Sequence, residues 1–155
     1  MKFTVAPDSL KESLSAPEAA HAIARGIAAV APGAQVVPAP MADGGKGTVA
    51  AVVRGTGGRL RRATVCGPLG EAVEAAWGMS GDRCTAVLEM AQASGLELVP
   101  PGRRDPARTS TYGTGHLISR ALEADAERLV VGLGDSATVD GGAGMAQALG
   151  ARFTD

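Results

Sequence analysis

Carboxylates, hydroxyls and glycines are concentrated in residues 130–145, which have the sequence VVGLGDSATVDGGAGM. A short β-branched run stops at glycines, polar residues follow, and further glycines lead into an apolar segment. Glycine lets a backbone approach a ligand closely, and the N–H groups at a helix start attract anions. The pattern is typical of a strand, a tight loop and a helix that hold a phosphate or a carboxylate, with Asp135 or Asp140 placed to handle a metal or a proton. The alternative is a turn whose Asp and Ser residues only cap a helix.

Three other segments have the same order of apolar strand, polar loop and helix. Residues 6–11 (APDSLK) offer Asp8 for a metal and Lys11 for a phosphate, although a surface salt bridge or a cap would use the same pair. Residues 41–48 (MADGGKGT) set glycines beside Lys46, as an anion site would, but they lack the spacing of a Walker A motif. A glycine-assisted helix entry is the alternative for this second segment.

The third of these segments, residues 108–115, has the sequence RTSTYGTG. Its three consecutive hydroxyls exceed what one helix cap needs, its glycines allow close contact with phosphate oxygens, and Arg108 offers a bidentate grip. The alternative keeps one threonine as the cap and leaves the others exposed. Because loops after the carboxyl ends of strands gather at one edge of an open α/β sheet, the four loops are expected to form one cleft. Ser94 would add a hydroxyl to it, unless residues 91–95 are a plain turn.

The composition restricts the class of protein. The 155 residues suffice for a packed core, which must use small aliphatic side chains because 45% of the residues are hydrophobic and only 3% are aromatic. A net charge of −1 argues against a nucleic-acid partner, and no apolar stretch approaches the roughly 20 residues that span a bilayer. The chain begins without a signal-peptide core, and its two cysteines have no metal or disulfide spacing, which together indicate a cytoplasmic protein.

The elements that must position these loops are predicted to begin with a Rossmann-like parallel βα unit. Strands are expected at residues 3–6 and 35–37, a helix begins with a capping box formed by Ser15 and Glu18, and a second helix is expected at 47–54. A mixed α/β region with antiparallel strands follows. Its predicted elements are strands at 63–66, 72–77 and 85–90, a helix at 114–124, a strand at 128–133 and a helix ending at 149. Residues 1–60 and 61–155 are accordingly expected to belong to two different α/β domains.

In this order, the segments resemble those of the bacterial type I glycerate kinase family, which has two α/β domains with a cleft between them. The resemblance rests on residues 6–13, 41–45, 93–96, 112–115 and 134–145. It covers essentially the whole chain, which is similar only to the N-terminal portion of that family and is thus an incomplete form of the fold. It implies an ATP-dependent kinase that transfers the γ-phosphate to a hydroxyl of D-glycerate, giving 2- or 3-phosphoglycerate with Mg²⁺ as cofactor. A truncated, inactive fragment of such a kinase is the alternative.

The resemblance carries site residues over one by one. The residues that match the family pattern are Asp8, Lys11, Asp43, Gly44, Gly45, Ser94, Thr114, Ser136, Thr138 and Asp140. Lys46 stands where the family usually has Glu, Asp135 where it usually has Gly, and Val139 where it usually has Asn. These departures put the fine geometry of the phosphate site in question, because Lys46 reverses a charge and Asp135 adds a carboxylate beside an expected anion site.

The expected roles follow from phosphoryl transfer, which depends on alignment and on neutralising charge. Asp140, or else Asp8, would orient or deprotonate the glycerate hydroxyl, Lys11 would act on the phosphates, and Asp43 with Asp140 would hold Mg²⁺. The residues expected to bind substrate or phosphate are Asp43, Gly44, Gly45, Lys46, Ser94, Arg108, Gly113, Thr114, Ser136, Thr138, Gly141 and Gly142.

The expected partners are the small molecules D-glycerate and ATP, with no nucleic acid and no membrane, and a homodimer is left open. A nucleotide-dependent oxidoreductase is disfavoured, because the first strand is followed by proline and aspartate where that fold would have a GxGxxG loop.

Overall fold

The computed structural model describes residues 1–10 and 13–154 of the chain. Lys11, for which a phosphate contact is expected, lies outside the described residues. The chain divides into two compact units, Met1–Asp43 and Gly44–Asp155. Both parallel and antiparallel strand pairs are present, which confirms the predicted mixed α/β class. In the part of the chain that the structure describes, no helix has the length and apolar character needed to cross a membrane.

The first unit is a parallel βαβ arrangement, as predicted. Its elements are β1 (Lys2–Val5), α1 (Ala16–Val30) and β2 (Gln35–Pro38), and β1 pairs with β2 in parallel. Helix α1 begins where the sequence predicts, because the Ser15 hydroxyl accepts the Glu18 N–H at 3.4 Å and the Glu18 carboxylate accepts the Ser15 N–H at 2.8 Å. The capping box is thus confirmed, and it fixes the start of the helix by local contacts alone.

The described residues of the second unit, 44–154, form one four-stranded sheet and four α-helices. These are α2 (Thr48–Thr56), β3 (Arg59–Cys66), β4 (Ala72–Met79), β5 (Thr85–Glu89), α3 (Ala91–Ser94), α4 (Tyr112–Leu122), β6 (Arg128–Gly132) and α5 (Ala143–Ala148). The strand order is β3-β4-β5-β6, with antiparallel pairs up to β5 and a parallel β5–β6 pair. Two single-turn helices, Leu96–Leu98 and Pro101–Arg103, precede α4.

Strand β3 begins at Arg59, earlier than the predicted Ala63. The pairing with β4 continues to the end of the strand, where Arg59 lies opposite Met79. The charged residues in this stretch hide the strand from a pattern search, because β3 is an edge strand and its arginines are exposed. The guanidinium of Arg61 lies 5.4 Å from the ring centre of Trp77, a cation–π distance that helps to hold the exposed edge.

Helix α2 belongs to the second of the two compact units. Its buried Val49 and Val53 pack with Val87 at the centre of β5. Only a glycine fits at position 78 of β4, because a Cβ there would collide with the Val53 side chain. The assignment of residues 1–60 and 61–155 to two domains of the complete protein stays a prediction.

The main core lies between the sheet and helix α4. It is built around Trp77, Leu88 and Leu117, and its other members include the alanines at positions 75, 86, 93 and 121. This agrees with the small-residue core expected from the composition. Small residues also let α4 and α5 approach each other, because a Cβ on Gly115 would collide with the Met145 carbonyl oxygen and lie 2.7 Å from the Ala148 Cβ.

We therefore expect Gly115→Ala to lower the free energy of unfolding by about 1–3 kcal/mol, although alanine is the better helix former. Gly55→Ala is the matched control, because Gly55 lies in α2 of the same unit and a Cβ there meets no atom within 4 Å. The control should gain about 0.5 kcal/mol. Urea denaturation followed by fluorescence of Trp77, the one tryptophan of the sequence, measures both. Equal effects of the two substitutions would contradict this account of helix packing.

Candidate functional site

Four polar segments of the second unit meet at the carboxyl ends of β5 and β6. The loop after β5 and the loop after β6 are joined by an isolated bridge between Gly95 and Ser136. The Leu96 N–H donates to the Asp135 carbonyl at 2.8 Å, and the Ala137 N–H donates to the Ser94 carbonyl at 2.9 Å. The expected gathering of loops at one sheet edge therefore holds for the segments within this unit.

The loop at residues 44–47 joins the loop after β6 through glycine-to-glycine contact. A Cβ on Gly132 would collide with the Gly44 carbonyl oxygen, and a Cβ on Gly134 would lie 2.6 Å from the Gly45 Cα. The Lys46 N–H also donates to the Asp135 carboxylate at 3.3 Å. The abundance of glycine here reflects two protein backbones that touch each other, a reason the sequence does not reveal.

Glu89 closes the start of α2. It is the last residue of β5 and only 2% exposed, and its Oε1 accepts the N–H groups of Gly47 at 3.0 Å and Val49 at 2.7 Å. Gly47, the residue before α2, has φ +103°, which favours glycine. The helix start that was expected to attract a phosphate is thus occupied by a carboxylate of the chain itself.

Asp140 fills the same role at α5. Its Oδ2 accepts the N–H groups of Thr111 at 2.8 Å and Gly144 at 3.2 Å, and its Oδ1 accepts the Gly142 N–H at 3.0 Å. The Thr111 hydroxyl donates to Asp140 as well and accepts the Met145 N–H at 2.9 Å. Burial raises the pKa of the Asp140 carboxyl, but these hydrogen bonds outweigh burial, so that its pKa lies below the ordinary value.

Ser94, Thr114 and Gly113 are buried beneath this edge. Ser94 is 0% and Thr114 3% exposed, and their hydroxyls form a hydrogen bond of 2.8 Å with each other. A Cβ on Gly113 would collide with the Cys66 carbonyl oxygen, so this glycine serves the packing of α4 on β3. The three residues are thus part of the packed interior next to the site. Their expected contact with substrate stays a prediction.

Lys46, Arg108, Ser136 and Gly141 are exposed at this edge, and Thr138 is half-buried. The Lys46 side chain is 61% exposed and its Nζ lies 2.6 Å from Glu97 Oε2. The Ser136 and Thr138 hydroxyls lie 3.0 Å apart, and the Thr138 N–H donates to Ser136 Oγ at 3.0 Å. These side chains supply the accessible charge and hydroxyl groups of the site.

Asp135 has a backbone conformation that most residues other than glycine avoid. Asp135 has φ +53°, in the left-handed region that favours glycine, the usual family residue here. Aspartate tolerates this conformation better than most residues, and its side chain holds the Lys46 N–H. Two of the three departures from the family pattern, Lys46 and Asp135, are therefore in direct contact.

Asp8 and Asp43 lie in the first unit, and both are exposed. The Asp8 carboxylate accepts the Ser9 N–H at 2.6 Å, a local contact that a cap would also make. That Asp8, Lys11 and Asp43 share a cleft with Asp140 stays a prediction. Among the residues that the structure describes, no cluster of three or more His, Cys, Asp or Glu side chains could hold a metal ion.

Glu89 and Glu97 are residues of this edge that the sequence analysis missed, and Thr111, singled out there for phosphate or for a cap, binds Asp140. Glu89 alone carried a signal, because it is a charged residue that ends the apolar run TAVL. A charge is buried at such a position only when it is paired or hydrogen-bonded. Glu97 carried none, since its partner Lys46 lies 51 positions away in the sequence, and the partner of Thr111, Asp140, was hidden by a separation of 29 positions.

Comparison with known proteins agrees with the resemblance described above. The model of the glycerate kinase family matches residues 3–155. The chain is 58% identical to the glycerate 2-kinase of Escherichia coli K12 and 60% identical to the glycerate kinase of Bacillus subtilis 168, in each case over all of this chain and 41% of the relative. It also superimposes, with a TM-score of 0.77 and 55% identity, on a crystal structure from Salmonella typhimurium LT2 assigned as glycerate kinase 2, again over 100% of this chain and 41% of that one.

The chain thus spans about two-fifths of the length of the relatives it matches. A match of the family model over nearly every residue, supported by the same fold in a related crystal structure, establishes that the chain belongs to the glycerate kinase family.

Proposed function

We propose that the complete protein transfers the γ-phosphate of ATP to a hydroxyl of D-glycerate, giving 2- or 3-phosphoglycerate. The observation that carries the proposal is the identity of 58–60% to a glycerate 2-kinase and a glycerate kinase along the whole of this chain. The exposed groups at the carboxyl edge of β5 and β6 support it, because they include a cation and hydroxyls suited to phosphate oxygens.

Lys46 is the group that we assign to phosphate. Its ion pair with Glu97 joins two side chains that are each about 60% exposed, and such surface pairs contribute little free energy. A nucleotide phosphate can therefore displace Glu97 at small cost. Arg108 and the Ser136–Thr138 turn are proposed as further contacts for phosphate or for the carboxylate of glycerate.

We propose that fewer glycine N–H groups bind phosphate than the sequence suggested. The Gly44 N–H donates to the Thr48 hydroxyl at 3.0 Å, and that of Gly142 donates to Asp140. We propose that these two glycines shape the loops, while the exposed Gly141 stays a candidate for phosphate and the expected phosphate contact of the buried Gly45 stays a prediction.

Mg²⁺ would neutralise charge on the transferred phosphoryl group, and we propose that it accompanies ATP. We propose that Asp140 is not its ligand, because the two carboxylate oxygens already accept three N–H groups and the Thr111 hydroxyl, as many donors as a carboxylate has lone pairs. Asp43 stays the proposed metal ligand, and Asp8 and Lys11 stay proposed catalytic groups. For Asp140 we propose that its main task is to hold α5 and residues 109–112 together.

We further propose a cytoplasmic location, which is supported by the free thiols of Cys66 and Cys84. A homodimer stays an expectation that the sedimentation of the complete protein would test.

ADP release from the complete protein tests the proposed function. We expect release that depends on D-glycerate, and phosphorus NMR of the product would distinguish 2- from 3-phosphoglycerate. L-Glycerate is the matched control substrate. The same assay on the 155-residue chain tests the alternative of an inactive fragment. A complete protein that releases no more ADP with D-glycerate than without it would contradict the proposal.

Lys46→Ala should lower kcat/KM for ATP about tenfold or more, because it removes a cation from the phosphates. Glu97→Gln separates this role from a structural one, since it breaks the same ion pair and leaves Lys46 in place. We expect the Glu97 variant to keep its activity. Equal losses in the two variants would show that the ion pair, and not phosphate binding, accounts for the effect.

Asp140→Asn should lower kcat together with the free energy of unfolding, the latter by about 1–3 kcal/mol, because its amide nitrogen would face N–H donors. Asp125→Asn is the control, since Asp125 is exposed. A chemical base would instead lose kcat at unchanged stability.

The pH dependence of stability gives a second measurement on Asp140. Its folded pKa is lowered, so its stabilisation is complete above the unfolded pKa of about 3.9 and is lost as the pH falls through the folded value. The difference in stability between wild type and Asp140→Asn should therefore be constant at neutral pH and shrink in acid. A difference that grows in acid would contradict the assignment.

A further inference from the structure

The buried carboxylate of Glu89 has no part in the chemistry proposed above. It lies 2% exposed at the end of β5, the strand between β4 and β6. Among the described residues, the ion pairs of the structure do not include Glu89. A buried carboxylate without hydrogen bonds would be costly, so its partners account for its presence.

Those partners form a continuous path from the sheet to the start of α2. Glu89 Oε1 accepts the N–H groups of Gly47 and Val49, and Glu89 Oε2 accepts the Gln92 amide at 3.2 Å. The Gln92 Oε1 accepts in turn the Ala76 N–H of β4 at 3.1 Å. Backbone N–H groups at a helix start carry partial positive charge, which offsets the charge of Glu89.

This path fixes the residues on both sides of the exposed cation. Gly47 follows Lys46 directly, and its N–H is held by Glu89, while the Lys46 N–H is held by Asp135. The backbone at Lys46 is thereby attached to β5 on one side and to the loop after β6 on the other. A change in either attachment moves the Lys46 ammonium relative to any phosphate bound at this edge.

We propose that Glu89, oriented by Gln92, is a positioning residue for phosphoryl transfer: it holds the 44–47 loop so that Lys46 meets the phosphates. The inference rests on the proposed function, and it adds a residue that does not touch the substrate. Small displacements of a catalytic group cost large factors in rate, so the effect should appear in kcat/KM.

The side chains of Glu89 and Gln92 allow a test in which their identities are exchanged. In Glu89→Gln, Oε1 can still accept from Gly47 and Val49, but the new amide nitrogen faces the Gln92 amide nitrogen. In the double variant Glu89→Gln/Gln92→Glu, the new amide donates to the new carboxylate, which also accepts the Ala76 N–H. Every hydrogen bond of the path is then restored, while the charge moves by one side chain.

In the complete protein, we expect Glu89→Gln to lower kcat/KM for ATP by about tenfold to a hundredfold. Gln92→Glu should also lose activity, because it places two carboxylates against each other. The double variant should return to within about threefold of wild type, so that the two losses are strongly non-additive. Glu89→Gln with wild-type kcat/KM, or a double variant no better than Glu89→Gln, would overturn the proposal.

Amide hydrogen exchange at Gly47 and Val49 gives a readout that needs no turnover. Exchange should be at least about tenfold faster in Glu89→Gln and return to the wild-type rate in the double variant. If the wild-type protein releases no ADP with D-glycerate, the proposed function fails by that result alone. The positioning of the loop is then decided by exchange, and unchanged exchange in Glu89→Gln would overturn it.

Discussion

Backbone N–H groups at the start of a helix must find acceptors, and in the second unit two carboxylates of the chain supply them. Glu89 serves α2 and Asp140 serves α5. Glu89 ends β5 and thus ties α2 to the sheet, and Asp140, which directly precedes α5 in the chain, also accepts the Thr111 N–H and thus ties α5 to the segment before α4. The positions of the loops at this edge depend on these two sets of hydrogen bonds.

These two caps change how the glycine-rich loops are interpreted. A glycine-dense loop before a helix is typical of phosphate binding, because it leaves N–H groups open to an anion. Here each of the two helix starts is already occupied by a carboxylate of the chain. Several glycines instead allow one backbone to lie against another, as Gly132 does with Gly44. We propose that exposed side chains at this edge, chiefly Lys46 and the Ser136–Thr138 turn, meet a ligand. Because the chain belongs to the glycerate kinase family, the binding of ATP and D-glycerate by these groups is the property to test.

Much of the fold could be predicted from the sequence, because its determinants are local. The capping box of Ser15 and Glu18 lies within one helical turn, and the antiparallel strands β4 and β5 follow each other across a short turn. The start of β3 was missed because its exposed arginines do not give the apolar pattern of a strand. They are tolerated there because β3 lies at the edge of the sheet. The packing of α2 could not be predicted, because its valines find their partner, Val87, in a strand far along the chain.

By itself the sequence determined the family, the order of the elements and the list of polar residues at the loops, since these follow from residue types and short spacings. Only the tertiary structure decided which groups each polar residue contacts. Asp140 was expected to act on substrate or metal, yet its oxygens are taken by donors that include Thr111, 29 positions away. Glu89 drew no attention in the sequence, yet it holds Gly47, 42 positions away. A hydrogen bond depends on distance in space, and folding sets that distance for residues so far apart along the chain.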